Sequence, residues 1–339
     1  MGDGMGGVDA AAVRYRAEIA AEDGTVYYIT NIITALSWEE QEGQLAQKAA
    51  VKVEPNGDAA GDTVPAILKL NRILRIYADW GAGNTMVFEG SIWEWSLSHG
   101  QQQELSVTAY DPMIRLQQSK DHKYFSAGMD TKSIINGICT EWGVPCEYKW
   151  DQAIAHEKKV FNAKAISDMI LELLDEVKQQ AGKPYIALYR DGKLEINAYG
   201  TNADIYVFGD AQVSGTSDKL SLEKLVTRVK IIGKADDEGR AAVEAVVDGN
   251  LDFGVLQEIL QRDEDKDLGK AQAEARAVLD ERGQPEESIL VTAPDLPFLR
   301  KGDQVQVKAG NLDGDFWILG VSHDGMSRQM TMTLRRKPA

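Results

Sequence analysis

The sequence predicts an α+β protein that is mainly β, with two strand-rich ends and a smaller α/β segment between them. Short runs of β-branched and aromatic residues, separated by polar breakers, fill both ends of the chain. Apolar residues at helical spacing are concentrated between about residues 121 and 204. A further alanine-rich helix, Leu268–Arg282, precedes the last strands. The 339 residues are expected to form two or three domains.

The first strand-rich segment, residues 13–120, begins with a hairpin. Val13–Ala20 and Thr25–Thr30 flank Asp23-Gly24, a dipeptide that favours two-residue hairpin turns. Several short strands at this spacing indicate a β-sandwich or β-barrel. Residues 1–12 are predicted to be a flexible tail. The other predicted strands are Asn31–Trp38, Ala46–Glu54, Ile73–Ala78, Met86–Leu97 and Glu104–Tyr110.

The middle segment, residues 121–204, is predicted to be a small α/β domain. Its first helix, Thr131–Trp142, has apolar residues on one face and either Asp130 or Thr131 as N-cap. Its second helix runs from about Ala165 to Ala181. A hairpin with Asp191-Gly192 at its turn follows the second helix.

The second strand-rich segment, residues 205–339, contains the Leu268–Arg282 helix. Aspartates precede the positive end of this helix, and Gly283 is expected to end it in a left-handed conformation. One helix followed by a meander of short strands suggests a small β-barrel with the helix packed on it. The predicted strands are Leu225–Gly233, Ala241–Val247, Gly254–Gln261, Ser288–Thr292, Gln304–Lys308, Phe316–His323 and Gln329–Arg335.

Composition excludes several classes of function. With 37 basic and 53 acidic residues, the net charge of -16 argues against nucleic-acid binding and against docking to anionic membranes. No apolar run reaches the roughly 18 residues that a membrane helix needs. The two cysteines, Cys139 and Cys146, predict no disulfide framework and favour assembly in a reducing cytoplasm, with Cys139 as a buried thiol.

The sequence predicts no catalytic, cofactor-binding or metal site. His99, His122, His156 and His323 are scattered, and none has a metal-binding partner at helical or loop spacing. No nucleophile elbow, phosphate-binding loop or zinc-protease motif occurs. The prediction is therefore that the chain is not an enzyme.

One acidic cluster partly matches a calcium-binding loop. Asp263, Asp265, Asp267 and Glu274 occupy positions 1, 3, 5 and 12 of an EF-hand pattern. Position 6, where the loop needs glycine, is Leu268, and no helix precedes the cluster. An acidic helix N-terminus is therefore the preferred interpretation, and cation binding is left open.

Two further features favour structural over chemical roles. Glu39-Glu40 and Asp236–Glu238 are interpreted as charge runs on the solvated surface. Trp80, Trp93, Trp95 and Trp142 could form a sugar-binding platform. Trp93 and Trp95, however, are predicted to share one face of a strand, where aromatic residues more often pack in a core or an interface.

Several short stretches, in this order and spacing, resemble the XkdQ/YqbQ-like baseplate hub proteins of contractile phage tails, which are late-control-D-type tail hubs. The resemblance extends from about Val13 to Lys337, although residues 1–12 and the polar loop Pro55–Thr63 depart from it. No lysozyme or peptidase segment is present. The stretches are Phe88–Trp95, Leu105–Asp111, Lys132–Ile135, Trp142–Pro145, Leu225–Lys234, Gly254–Gln257 and Leu299–Val305.

This resemblance implies two tail-tube-like β-barrel domains, residues 13–120 and 205–339, around the small α/β domain. It implies a homotrimer that adapts a hexameric tail tube to a trimeric central spike, with DNA passing through an acidic channel without specific binding. The implied partners are the tail tube or tube-initiator protein, the spike, and wedge and LysM-type baseplate proteins. The implied location is the virion tail baseplate, assembled in the host cytoplasm. A tail-associated peptidoglycan hydrolase and a carbohydrate-binding module remain alternatives.

Overall fold

The computed structural model describes residues 10–55, 58–59, 62–81, 83–99, 103–150, 154–235, 237–262 and 267–338. The chain divides into two compact units. Unit 1 comprises Met1–Thr216 and Leu290–Ala339, and unit 2 comprises Ser217–Ile289. The strands that follow residue 290 thus group with the N-terminal half, which differs from the predicted division at residue 205.

The first part of unit 1 is almost entirely β-structure, as predicted. The Asp23-Gly24 hairpin is present, with Gly24 at a φ of 87°. The elements are β1 Arg14–Ala20, β2 Val26–Tyr28, β3 Ile33–Glu40, β4 Lys48–Val53, β5 Asp58–Ala59, β6 Asp62–Thr63, α1 Val64–Ile67, β7 Ile73–Asp79, β8 Thr85–His99, β9 Gln103–Tyr110 and α2 Ile114–Gln118.

The middle segment folds as an α/β element within unit 1. Asp130, not Thr131, is the N-cap of the first long helix, because its carboxylate accepts the N–H of Ser133 at 2.9 Å. Cys139 is buried, as predicted, among apolar residues of both long helices. The elements are β10 Lys120–Phe125, α3 Thr131–Glu141, β11 Cys146–Lys149, β12 Lys159–Ala165, α4 Ile166–Ala181, β13 Tyr185–Arg190, β14 Lys193–Ala198 and β15 Tyr206–Gly209.

Unit 2 contains a three-stranded sheet covered on one face by a helix. The strands β17 Arg228–Ala235, β18 Ala241–Asp248 and β19 Gln257–Gln261 follow β16 Gly215–Ser221, which crosses the boundary between the units. The helix α5, Leu268–Arg282, has the predicted bounds and buries its small residues against β17. Gly283 has a φ of -83°, so the expected left-handed cap is wrong.

The last strands join the N-terminal sheet. β20 Glu286–Pro294, β21 Gln304–Ala309, β22 Leu312–Asp324 and β23 Gln329–Arg336 complete the chain. β22 pairs with β3 from Val321–Glu40 to Asp324–Ser37, giving the order β16-β20-β23-β22-β3-β4-β9-β8-β7-β1-β2. Strands of the two ends therefore belong to one sheet, which the sequence did not predict. The reason is that β22, with 13 residues, is long enough to pair with β21 and then with β3.

A close approach between strands constrains the N-terminal sheet. Gly90 lies in β8, where a Cβ atom would lie 2.3 Å from the carbonyl oxygen of Tyr110 and 2.6 Å from Cζ of Phe88. Contacts this short force the backbone to move, because the nearest atom is not at the end of a flexible side chain. Glycine is therefore required where β8 crosses the end of β9.

We expect Gly90→Ala to lower the free energy of unfolding by roughly 1–3 kcal/mol through overpacking. The matched control is Gly137→Ala in α3, where a Cβ meets nothing within 4 Å. That change should raise stability by about 0.5–1 kcal/mol through helix propensity. Urea denaturation of both variants tests the pair, and equal effects at the two positions would contradict the packing argument.

Candidate functional site

Five charged residues form a cluster in unit 1, which we call the junction cluster: Glu40, Asp111 and Lys301, which are buried, and Arg300 and Asp303, which are partly buried. Its centre is a bidentate ion pair in which Arg300 Nη2 and Nε donate to Glu40 Oε1 and Oε2 at 2.5 and 2.9 Å. The side chain of Glu40 is only 3% exposed. A planar guanidinium matches a carboxylate in this geometry, which a lysine could not reproduce.

The burial of Glu40 corrects the interpretation of Glu39-Glu40 as a solvated charge run. Adjacent residues of a strand point to opposite faces, so the two carboxylates have different surroundings. Glu39 pairs with the partly exposed Lys48 at 3.2 Å, whereas Glu40 points inward. A two-residue charge run cannot reveal this difference, because the partner Arg300 is 260 residues away.

The junction cluster ties together three distant parts of the chain. Arg300 lies in the turn between β20 and β21, and its Nη1 donates to the carbonyl of Tyr189 in β13 at 3.1 Å. The ammonium of Lys301 donates to the carbonyl of Gln44, just after β3. The Leu299–Gly302 turn therefore connects the N-terminal strands with the middle segment.

Burial raises the pKa values of the carboxyl groups in the junction cluster, whereas neighbouring cations and hydrogen-bond donors lower them. Burial favours the neutral form of Glu40, but Arg300 and Lys301 outweigh it and hold its pKa below the ordinary value. Burial raises the pKa of Asp111 to about 7, although two backbone N–H groups oppose the shift. Burial likewise raises the pKa of Asp303 to about 6.

A second buried cluster contains a histidine–aspartate pair. His323 Nδ1 lies 2.6 Å from Asp295 Oδ1, and the hydroxyl of Tyr15 donates to Asp295 Oδ2 at 2.5 Å. The His323 ring stacks on Trp38 with centroids 4.8 Å apart and planes 7° apart. Both members of the pair are at most 3% exposed. At this burial the pair is not accessible to a substrate. Through Tyr15 and Trp38 it instead links β1, β3 and β22, which is a structural role.

The other histidines have different surroundings and do not converge. His156 is buried between Glu176 Oε2 at 2.7 Å and Thr131 Oγ1 at 2.6 Å, and burial lowers its pKa. His122 is exposed beside Asn162. The side chain of His99 lies outside the described residues.

No cluster of three or more His, Cys, Asp or Glu residues suited to a metal ion occurs in the described part of the chain. Asp263 and Asp265 of the EF-hand-like pattern lie outside that part. Asp267 caps α5 through the N–H of Gly269 at 2.9 Å, as an acidic helix N-terminus should. Cation binding by the four-residue pattern stays an open hypothesis.

The tryptophans do not form one platform. A bulge in the β8–β9 pairing, between Ile92 and Glu94, shifts the alternation of side chains. Trp95 consequently lies opposite the buried Val107, whereas Trp93 meets Tyr110 edge-on with centroids 6.4 Å apart. The expectation that Trp93 and Trp95 share a face is wrong. Each is nevertheless 40% exposed.

Trp80 has a different environment from the tryptophans of β8. Its ring packs on Phe298 with centroids 5.3 Å apart.

Among the helices of the described residues, none has the length and apolar content that a membrane crossing requires.

Comparison with known proteins assigns this fold. The model of the YQBQ-like family matches residues 39–337, nearly nine-tenths of the chain. The chain belongs to the YqbQ-like family. The phage-like element PBSX protein XkdQ of Bacillus subtilis is 23% identical over 237 residues, which are 68% of this chain and 72% of XkdQ.

Solved structures share the fold over nearly the whole chain. The 43 kDa tail protein of prophage MuSo2 from Shewanella oneidensis has a TM-score of 0.70 and 15% identity, covering 96% of this chain and 98% of that protein. The Escherichia coli c3393 protein, a component of the type VI secretion system, has a TM-score of 0.54 and 12% identity, covering 91% and 74%. The mainly β class predicted from sequence is confirmed.

We expect Glu40→Gln to lower the free energy of unfolding by about 3–5 kcal/mol, because it removes the carboxylate that pairs with Arg300 at both oxygens and lies beside the buried Lys301. Glu42→Gln is the matched control: it breaks a pair with Arg335 in which both side chains are nearly half exposed. That change should cost less than about 1 kcal/mol. Urea denaturation measures the free energy of unfolding of both variants. Similar losses in the two would contradict the claim that the Glu40–Arg300 pair stabilises the fold more than a surface ion pair does.

The raised pKa of Asp111 predicts a pH dependence. Its folded-state pKa of about 7 exceeds the ordinary 3.8, so the folded protein holds a proton that the unfolded chain releases. The associated stability is present below pH 4 and is lost as pH rises to about 7. Between pH 6 and 8, where the carboxyl of Asp303, with its pKa of about 6, is already largely ionised, Asp111→Asn should remove most of the decline, whereas Asp237→Asn, on an exposed turn, should retain it. The free energy of unfolding in urea at pH 6 and at pH 8 measures both, and an equal decline in the two variants would assign it to groups other than Asp111.

Proposed function

We propose that this chain is a structural hub of a phage-tail baseplate, joining the tail tube to the central spike. The observation that carries the proposal is the family match over residues 39–337, together with a fold shared over 96% of the chain with a prophage tail protein. The machine would be a contractile tail or a tail-like bacteriocin, placing the chain in the virion baseplate after assembly in the host cytoplasm.

The distribution of polar groups supports a structural rather than an enzymatic role. The titratable residues that lie close together, in the junction cluster and around Asp295, satisfy one another in the interior. A catalytic group must instead be reachable by substrate and positioned against a reacting atom. Peptidoglycan hydrolysis has no supporting pair among the described residues, and Trp80, Trp93 and Trp95 face different neighbours, which disfavours a carbohydrate platform.

In the proposed assembly the chain is a homotrimer. Each chain would contribute two tube-like β-barrel elements, one from each strand-rich end and joined through the β22–β3 pairing, so that three chains present six similar positions to a hexameric tube or tube-initiator protein, while the threefold face accepts a trimeric spike. Wedge and LysM-type baseplate proteins would bind the periphery. DNA would pass through the channel unbound, since the net charge of -16 repels a polyanion.

Native mass spectrometry tests the proposal. We expect three copies of the chain, either alone or when the cognate spike protein is added, and a central channel in cryo-EM class averages. A one-to-one complex with the spike, or a closed dimer without a channel, would refute the hub. The same preparation should not clear a suspension of cell walls, and clearing that is lost on replacing one carboxylate would restore the hydrolase alternative.

A further inference from the structure

Strand β8 has an edge without a neighbour over its second half. β7 pairs with β8 only as far as Ser91, whereas β9 pairs with it as far as His99. Beyond Ile92, which bonds to the backbone of Asn71 and Arg72, no described strand lies on the other edge of β8. The N–H and C=O groups that point to this edge can accept another strand.

This half-edge lacks the features that usually protect an exposed strand. Residues 93–98 contain no lysine and no proline, and their sequence, Trp-Glu-Trp-Ser-Leu-Ser, has a single charge. Trp95 is 40% exposed even though it lies opposite Val107, which is 3% exposed. The strand on the other side of β8, β7, ends its pairing at Ser91, four residues before this tryptophan. By contrast, the free edge of β2 is only three residues long.

Unit 2, taken by itself, has a second free edge. β18 pairs only with β17, so one side of its eight residues has no neighbour in the described chain. Val243 and Val246 are 57% and 47% exposed. The charges of this strand are internally satisfied, since Glu244 pairs with Arg262 and Asp248 with Arg228, each at 2.5 Å.

We propose that β18 of one copy pairs with the free half of β8 in the next copy, so that copies of this chain join head to tail through a continuous sheet. A head-to-tail contact needs two different surfaces on one chain, and a ring closes when the contact repeats. The two edges are similar in chemistry: each exposes large apolar side chains, and neither strand segment contains a positive charge. In a chain of net charge -16, the free half of β8 has only one carboxylate, Glu94, and the carboxylates of β18 are paired with arginines, so two copies would meet here with little repulsion. This inference rests on the proposed homotrimer and identifies its contact surface.

Cross-linking tests the pairing directly. In a Cys139→Ala, Cys146→Ala background, Ser96→Cys is combined with Ala242→Cys or Val246→Cys, two positions that allow for either register. We expect disulfide-linked species up to the trimer after mild oxidation with oxidised glutathione. Mixing the Ser96→Cys chain with the Ala242→Cys or Val246→Cys chain should give linked pairs. The control pair, Ser96→Cys with Ser126→Cys on an exposed turn, should not link.

Charged substitutions separate this inference from the proposed function. Trp95→Lys and Val243→Lys should each weaken trimer formation at least tenfold in native mass spectra. Tyr124→Lys, at a residue 60% exposed on β10, should leave it unchanged. A trimer that persists in both edge variants and never cross-links overturns the strand pairing but leaves the hub. Linked dimers from Ala242→Cys alone, without links to β8, would instead assign β18 to a two-fold contact and refute the proposal. A chain that stays monomeric at every concentration, even with the cognate spike, refutes both.

Discussion

The bidentate pair between Glu40 and Arg300 is the interaction on which the arrangement of unit 1 depends. Each charge alone would be expensive to bury, and only their joint burial, with Lys301 and backbone carbonyls, makes the site stable. Because the partners come from β3, β13 and the turn before β21, none of these segments can take its native position separately. The same requirement explains why the C-terminal strands return to the N-terminal sheet.

Two further contacts strengthen this junction along the paired β3 and β22. His323 stacks on Trp38 and bonds to Asp295, while Tyr15 completes the group from β1. These polar groups point into the interior and hydrogen-bond to one another, so they are not accessible to a substrate. The features left for partners are backbone edges and half-exposed apolar side chains, as on β8 and β18. This distribution of polar and apolar groups is consistent with the structural role proposed above, in which the chain binds other proteins.

Local signals identified much of the fold. The helix Leu268–Arg282 has its predicted bounds because alanine spacing and an aspartate cap act within a few residues. The hairpins at Asp23-Gly24 and Asp191-Gly192 are equally local, since only a few residues adopt positive φ without strain. Local sequence patterns did not reveal how strands that are far apart in the chain pair with one another. The bulge after Ile92 reversed the expected direction of Trp95, and no motif in β8 indicates it.

The sequence by itself determined the mainly β class, the positions of the three long helices and of the two Asp-Gly hairpins, and the resemblance that the family match confirms. These follow from periodicity, capping and the order of short motifs, which are properties of neighbouring residues. Only the tertiary structure decided that Glu40 is buried, that β22 pairs with β3, and which strand edges stay free. The physical reason is that burial and pairing depend on residues hundreds of positions away, brought together when the chain closes on itself.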